Sequence, residues 1–288
     1  MVSNRTSGTA TQVRRGNGDG PGCGRQKKRI ERAYRLSEAL GIQVWCEDEA
    51  GPYKTAPYPG YSWHPEHQPL CQPHEYIRNG TAKLLTLFQP ATGQVRIKGV
   101  SNSTNATLPE WFKSQLTEIL ADQPLVMPPA FEEWENRLLW ESWREDLTIK
   151  VTLSTALPRL RLLLIMDNLI GHKNPQWLLW CFSQGILPLY TPVAGSWLNM
   201  AESIQRLLKR RALNGTYPKT TAEIIAQFEA AARHWNRHPT PFIWAGKRQA
   251  RRQRAYFRRH PVGASAATTP HPVCRHDAKW QGTNQVTH

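Results

Sequence analysis

"RLRLLLIMDN", residues 159–168, is the stretch on which the fold turns. Leu162 to Met166 are apolar without alternation, and the run ends in Asp167. A strand buried on both faces has this pattern, because neither face has to meet water. Such a strand needs covering layers, and the next segment supplies one. In "NPQWLLWCFSQG" (174–185), Asn174 can cap a helix, Pro175 takes its first position and Gly185 ends it. "ILPLYTP" (186–192) then reads as a short strand whose prolines belong near a sheet edge or end.

The pattern continues in both directions. Downstream, "SWLNMAESIQRLLKRRALNG" (196–215) is an amphipathic helix with Trp197, Ala201, Ile204 and Leu208 as its stripe. Trp197 on that stripe reads as core rather than as a platform for a base. "TAEIIAQFEAAARHWNRH" (221–238) is a further helix. Upstream, "FEEWENRLLWESW" (131–143) has Phe131, Trp134, Leu138 and Leu139 on one helical face. "LPEWFKSQLTEILAD" (108–122) has helical spacing at Trp111, Leu116, Ile119 and Leu120. "TAKLLTLFQP" and "GQVRIKGV" flank "ATG" and predict a hairpin. "GIQVWCED" (41–48) is a first strand, and "YSWHP" (61–65) a short second one. "RQKKRIERAYRLSEAL" (25–40) is a basic helix with Ile30, Ala33, Leu36 and Leu40 on one side, broken by Gly41. Strands alternating with helices make this an α/β chain with a mixed sheet.

Composition narrows the function. Among 288 residues, 37 Lys and Arg face 22 Asp and Glu, a net charge of +15. That balance suits a phosphate backbone, although solvated basic side chains alone would also produce it. The five cysteines (Cys23, Cys46, Cys71, Cys181 and Cys274) are odd in number and form no C-x-x-C, as in a reducing compartment. No apolar run is long enough to span a membrane, and the polar, Gly-rich N-terminus is not a secretory signal.

The acids carry the chemistry. "VWCEDEAGPY" (44–53) sets Glu47, Asp48 and Glu49 side by side at a strand end. Asp167 ends another strand, and Glu202 lies one step off the stripe of the long helix. Carboxylates brought together from these places repel each other unless cations bind, and an all-oxygen donor set suits Mg2+. Two such ions can stabilise the attacking and leaving oxygens of an in-line displacement, which points to phosphodiester chemistry. A plainer account remains for Glu202 and Arg206, four residues apart, as a surface ion pair.

"VWCEDEAGPY", "GYSWHPE", "TAKLLTLFQPATGQVRIKGV", "IMDNLIGHK" and "PVAGSWLNMAESIQRLLKRR" occur in this order. Together they resemble the bacterial insertion-sequence transposases related to mariner, a branch of the DDE transposases. The 34 residues between Asp167 and Glu202 match that group's DD34E-type spacing. The resemblance runs from about residue 25 to about residue 250. It implies an RNase H-like mixed sheet flanked by helices, with acids on the first strand, after the fourth, and on a following helix. It implies that Asp48, Asp167 and Glu202 are the catalytic, metal-binding triad, with Asp48 rather than Glu47 or Glu49 as its first member. Alternation along a strand turns Glu47 and Glu49 away from Asp48, as supporting or solvent-facing groups. The resemblance further implies two Mg2+ ions, replaceable by Mn2+, that serve cleavage at element ends and joining of the freed 3′-hydroxyl to a target. An RNase H-like nuclease without strand transfer and a decayed, non-catalytic DNA-binding remnant are the alternative readings.

Asn168 and His172 match the family's Asp-Asn…His-Lys pattern, as accessory groups or as fixtures of their loop; Ile170 and Gly171 depart from its usual polar pair. Arg206, Lys209 and Arg210 beside Glu202 are candidate DNA contacts, as are Arg251 and Arg252 in "GKRQARRQRAYFRRH" (246–260). His64, His67, Cys71 and His74 have zinc-ligand chemistry but no familiar finger spacing. The expected organisation is a disordered tail over 1–24, a basic helix or linker over 25–40, a catalytic domain over 41–246, a basic DNA-contacting segment over 247–260 and a disordered tail over 261–288. Full-length relatives usually begin with helix-turn-helix modules, for which this chain has no room. The expected partners are therefore element-end and target DNA, a second copy or higher assembly, and a separately encoded helix-turn-helix protein from a split or frameshifted gene. The expected location is cytoplasmic, on the nucleoid.

Overall fold

A computed structural model describes residues 21–60, 65–68, 71–101, 107–122, 133–144, 157–167, 174–193, 195–244, 260–261 and 268–269. Contacts divide the chain into Met1–Phe242 and Ile243–His288. In the second unit, two short strands pair antiparallel, His260–Pro261 with Thr268–Thr269. The rest of both expected tails, and of the basic segment from 247, lies outside the described residues, as do 61–64 of "YSWHP".

The first unit is built on five strands: β1 (Gln43–Lys54), β2 (Thr81–Phe88), β3 (Val95–Val100), β4 (Leu162–Met166) and β5 (Ile186–Tyr190). Their order is β3-β2-β1-β4-β5. The hairpin β2–β3 and the pair β1–β2 are antiparallel, whereas β4 and β5 run parallel to β1. This is the mixed sheet flanked by helices expected of an RNase H-like chain. All five residues of β4 are buried, which explains its lack of alternation. β5 closes one edge and carries Pro188, where a missing N–H disturbs only one ladder.

The helices are α1 (Pro21–Leu36), α2 (Thr107–Ala121), α3 (Glu133–Arg144), α4 (Pro175–Ser183), α5 (Ala201–Leu213) and α6 (Thr221–Arg237). Asn174 caps α4 by accepting from the Gln176 N–H. Gly185 follows it at φ +76, where a Cβ would lie 2.2 Å from the Arg159 carbonyl oxygen. The long strand β1 has a cis peptide at Gly51–Pro52 and a register shift between Ala50 and Tyr53. β3 is the other edge; its Arg96 binds Gln115 and Glu118 of α2 and Asp122 just beyond it. Among the described residues no helix is long and apolar enough to cross a membrane.

Several burial expectations need correction. In α3 the buried side chains are Asn136, Trp140 and Trp143, while Trp134 and Leu138 are exposed. The inward face is set by polar contacts as much as by apolar ones. Asn136 donates to the Leu157 and Pro158 carbonyls and accepts from the Leu160 N–H, and the Trp140 indole donates to Pro158. In α1, Ile30 and Ala33 are buried, but Leu36 is exposed, as is Leu40 beyond it. In α2 it is Phe112, not Trp111, that joins Leu116, Ile119 and Leu120 in the core.

Asn136 therefore fixes the chain's entry into β4. Asn136→Leu should lower unfolding free energy by about 2 kcal/mol, because it strands a buried N–H at Leu160. Urea denaturation would measure this.

Candidate active site

Asp48 lies on β1 opposite Thr86 of β2, and β1 is flanked on its other side by β4. Asp167 immediately follows β4, and Glu202 is in the first turn of α5. The expected strand end at Asp48 needs correction, since β1 runs on to Lys54; Asp48 lies midway along it, Asp167 follows the neighbouring β4, and α5 packs across β1 and β2. All three carboxylates are partly exposed. The carboxyl of Asp48 is pushed up to about 7. Burial is the main cause, and the charges of Asp167 and Glu202 add to it; the Glu49 N–H and the Gln205 side chain, which hydrogen-bond to it, pull the other way. Asp48 therefore senses both other acids.

Three side chains hold this arrangement. The Asn199 amide donates to the Glu47 carbonyl at 2.7 Å, and its oxygen accepts from the Ala201 N–H. The start of α5 is thereby tied to β1. The Tyr34 hydroxyl of α1 donates to the Leu198 carbonyl, accepts from the Met200 N–H, and lies 3.1 Å from the Cys46 sulfur. Burial drives the Cys46 thiol up to about 12, so it stays protonated and structural. The Gln205 amide donates to the Thr86 hydroxyl at 3.2 Å, one residue pair across from Asp48.

The neighbouring acids separate from Asp48 as alternation requires, but not both toward solvent. Glu49 pairs with Lys83 of β2. Glu47 is only 1% exposed, which corrects its solvent-facing reading. It sits near enough to Tyr190 for its charge to raise the phenol, after burial and Cys181.

Arg206 is exposed and pairs with Glu202 at 3.3 Å, while its Nε donates to the Glu202 carbonyl. Lys209 and Arg210 are exposed on the same helix. Trp197 is neither on α5 nor in the core: it lies in a short 3-10 turn (Ser196–Leu198), 45% exposed, with Lys27 of α1 5.5 Å from its ring centre. Asn168, His172, Arg251 and Arg252 lie outside the described residues, as does His64. Tyr34, Asn199 and Gln205 were not singled out from sequence. Gln205 left a signal, being a polar residue in the buried series Ala201, Gln205, Leu208 and Ala212.

The donor set fits a hard divalent cation: three carboxylates, with Asp48 destabilised in its charged form partly by the other two. Among the described residues no three His, Cys, Asp or Glu side chains close on one point.

The DDE superfamily endonuclease family matches residues 43–225, from the start of β1 into α6. No curated protein matches. Among solved structures, the catalytic core domain of BIV integrase is 10% identical, with a TM-score of 0.35 over 74% of this chain and 99% of that one. A pre-cleavage Mos1 transpososome is 12% identical, with a TM-score of 0.33 over 82% of this chain and 66% of that one. A mariner Mos1 paired-end complex with Mg is 12% identical, with a TM-score of 0.32 over 81% and 67%. The chain thus spans about two thirds of the Mos1 chains.

A raised carboxyl binds its proton more tightly in the folded state than in the unfolded one. Metal-free protein should therefore lose stability from this group as pH rises from about 4 to about 7. Asp48→Asn removes that loss. Metal-free Asp48→Asn should melt several degrees above the parent at pH 8 and level with it at pH 4, as followed by calorimetry.

Proposed function

The chain belongs to the DDE superfamily endonucleases, and from that premise we propose that it is a transposase catalytic domain of the mariner-related insertion-sequence group. Its proposed reaction is divalent-metal-dependent cleavage of DNA at element ends, followed by transfer of the freed 3′-hydroxyl. The observation that carries the reading is the sheet order, which sets β1 with Asp48 beside β4, whose end Asp167 follows, under the helix that carries Glu202. Acids on β1, after β4 and on α5 are read as one oxygen-donor set, in a chain whose net charge is +15.

In this reading Asp48, Asp167 and Glu202 hold the ions. When bound, Mg2+ or Mn2+ supplies Lewis acidity at the scissile phosphate and a more acidic water. Oxygen attacks phosphorus in line in both steps. In the first the nucleophile is water, which loses a proton as the strand's P–O3′ bond breaks and leaves a 3′-hydroxyl. In the second that 3′-hydroxyl attacks a target phosphate and a target 3′-oxygen departs. Arg206, Lys209 and Arg210 lie on the same helix as Glu202 and meet the DNA phosphates. Arg206, paired with Glu202 in the metal-free chain, turns to phosphate when a cation takes over the carboxylate. Arg251 and Arg252 extend the contact, and Asn168 and His172 assist the site. DNA at element ends, target DNA and a second copy are the partners, with a separate helix-turn-helix protein supplying base readout.

Asp48→Ala, Asp167→Ala and Glu202→Ala are each expected to abolish Mg2+-dependent nicking of DNA and to leave salt-sensitive DNA binding within about 3-fold. Nicking assays and binding titrations would check both; full nicking activity in any one variant would refute the triad. Strand joining to a second duplex distinguishes a transposase from a nuclease that only cuts.

A further inference from the structure

We propose that Gln205 is a positioning residue that aims the Asp48 carboxylate at the metal, with Thr86 as its brace. The proposal rests on the transposase reading above, since it concerns the same carboxylates. Gln205 is 6% exposed and Thr86 fully buried, deep enough that an amide there needs partners. The amide nitrogen of Gln205 has two hydrogens. One goes to the Thr86 hydroxyl at 3.2 Å, and the other is left for the Asp48 carboxylate beside it, on the residue that faces Thr86 across the strand pair. Thr86 is the residue directly opposite Asp48 across β1 and β2, so the three groups form one compact bridge.

The bridge fixes what the strand alone leaves loose. The Glu49 N–H binds Asp48 Oδ1 at 2.9 Å and restrains one edge of the carboxylate. A second donor from above the sheet fixes the rotation of the group about its Cβ–Cγ bond. Gln205 stands one helical turn from Glu202 on α5. A single rigid helix therefore carries both a proposed ligand and the arm that orients another, and the spacing of Glu202 from Asp48 is set by the same contact. Groups that orient metal-binding side chains typically change metal affinity or activity by 10–100-fold when removed.

The test uses near-isosteric replacements in the full chain: Gln205→Met, Thr86→Val and the double variant. Mn2+ alone is titrated into metal-free protein and followed by electron paramagnetic resonance, beside Mg2+-dependent nicking. For Gln205→Met, half-saturation by Mn2+ should rise by roughly 10–100-fold and the Mg2+ needed for nicking should rise in parallel, with melting temperature and DNA binding near the parent's. Thr86→Val should show a smaller rise of the same kind, and the double variant no more than Gln205→Met. Thr86→Val also carries the test should Gln205→Met fail to fold. Mn2+ affinity unchanged in the folded variants, with the parent binding better than Asp48→Ala, overturns the role of Gln205 alone. Parent and Asp48→Ala binding Mn2+ equally overturns the metal reading of the site, and this proposal with it.

Discussion

The tie between β1 and the start of α5 is the constraint on which the placement of Asp48, Asp167 and Glu202 depends. Like charges at strand and helix ends would drift apart if their supports were loose. Here the supports are stiff. β1 lies between β2 and β4, where shifting it would break two ladders. α5 is tied to that strand by Asn199 at its start and braced on β2 by Gln205 a turn later. α1 reaches the same junction through Tyr34. The sheet and these ties thus keep the three acids in place, and Arg206 pairs with Glu202 on the exposed side.

Much of this frame was legible in the sequence because its signals are local. The unbroken apolar run of β4, the Asn174 cap, the Gly185 stop and the β2–β3 turn each depend on a few adjacent residues. The three acids stood out by the same local means, although Asp48 proves to lie midway along β1 rather than at its end. What failed were choices that distant packing decides. In α3, one face offered Trp134 and Leu138 and another offered Trp140 and Trp143. The second went inward because Asn136 and Trp140 satisfy the backbone at 157–160, a segment no helical wheel includes. Trp197 continued the α5 stripe on paper, but the chain turns as a 3-10 helix there and the helix begins only at Ala201. Alternation indicated the side of the sheet for Glu47 but not its depth.

The contacts that complete the site also dictate when it can exist. Tyr34 and Leu198 are 164 residues apart, and Glu47 meets Asn199 across 152. A nascent chain that has made β1, β2 and β3 holds a meander with one acid of the three and no α5 to set it. Closure over such separations is slow, since the loop entropy is lost before the contacts are gained. The last acid arrives with the helix that locks the first in place. Assembly of the junction between β1 and α5 is therefore a late event of synthesis, and a fragment that ends before Asn199 lacks it.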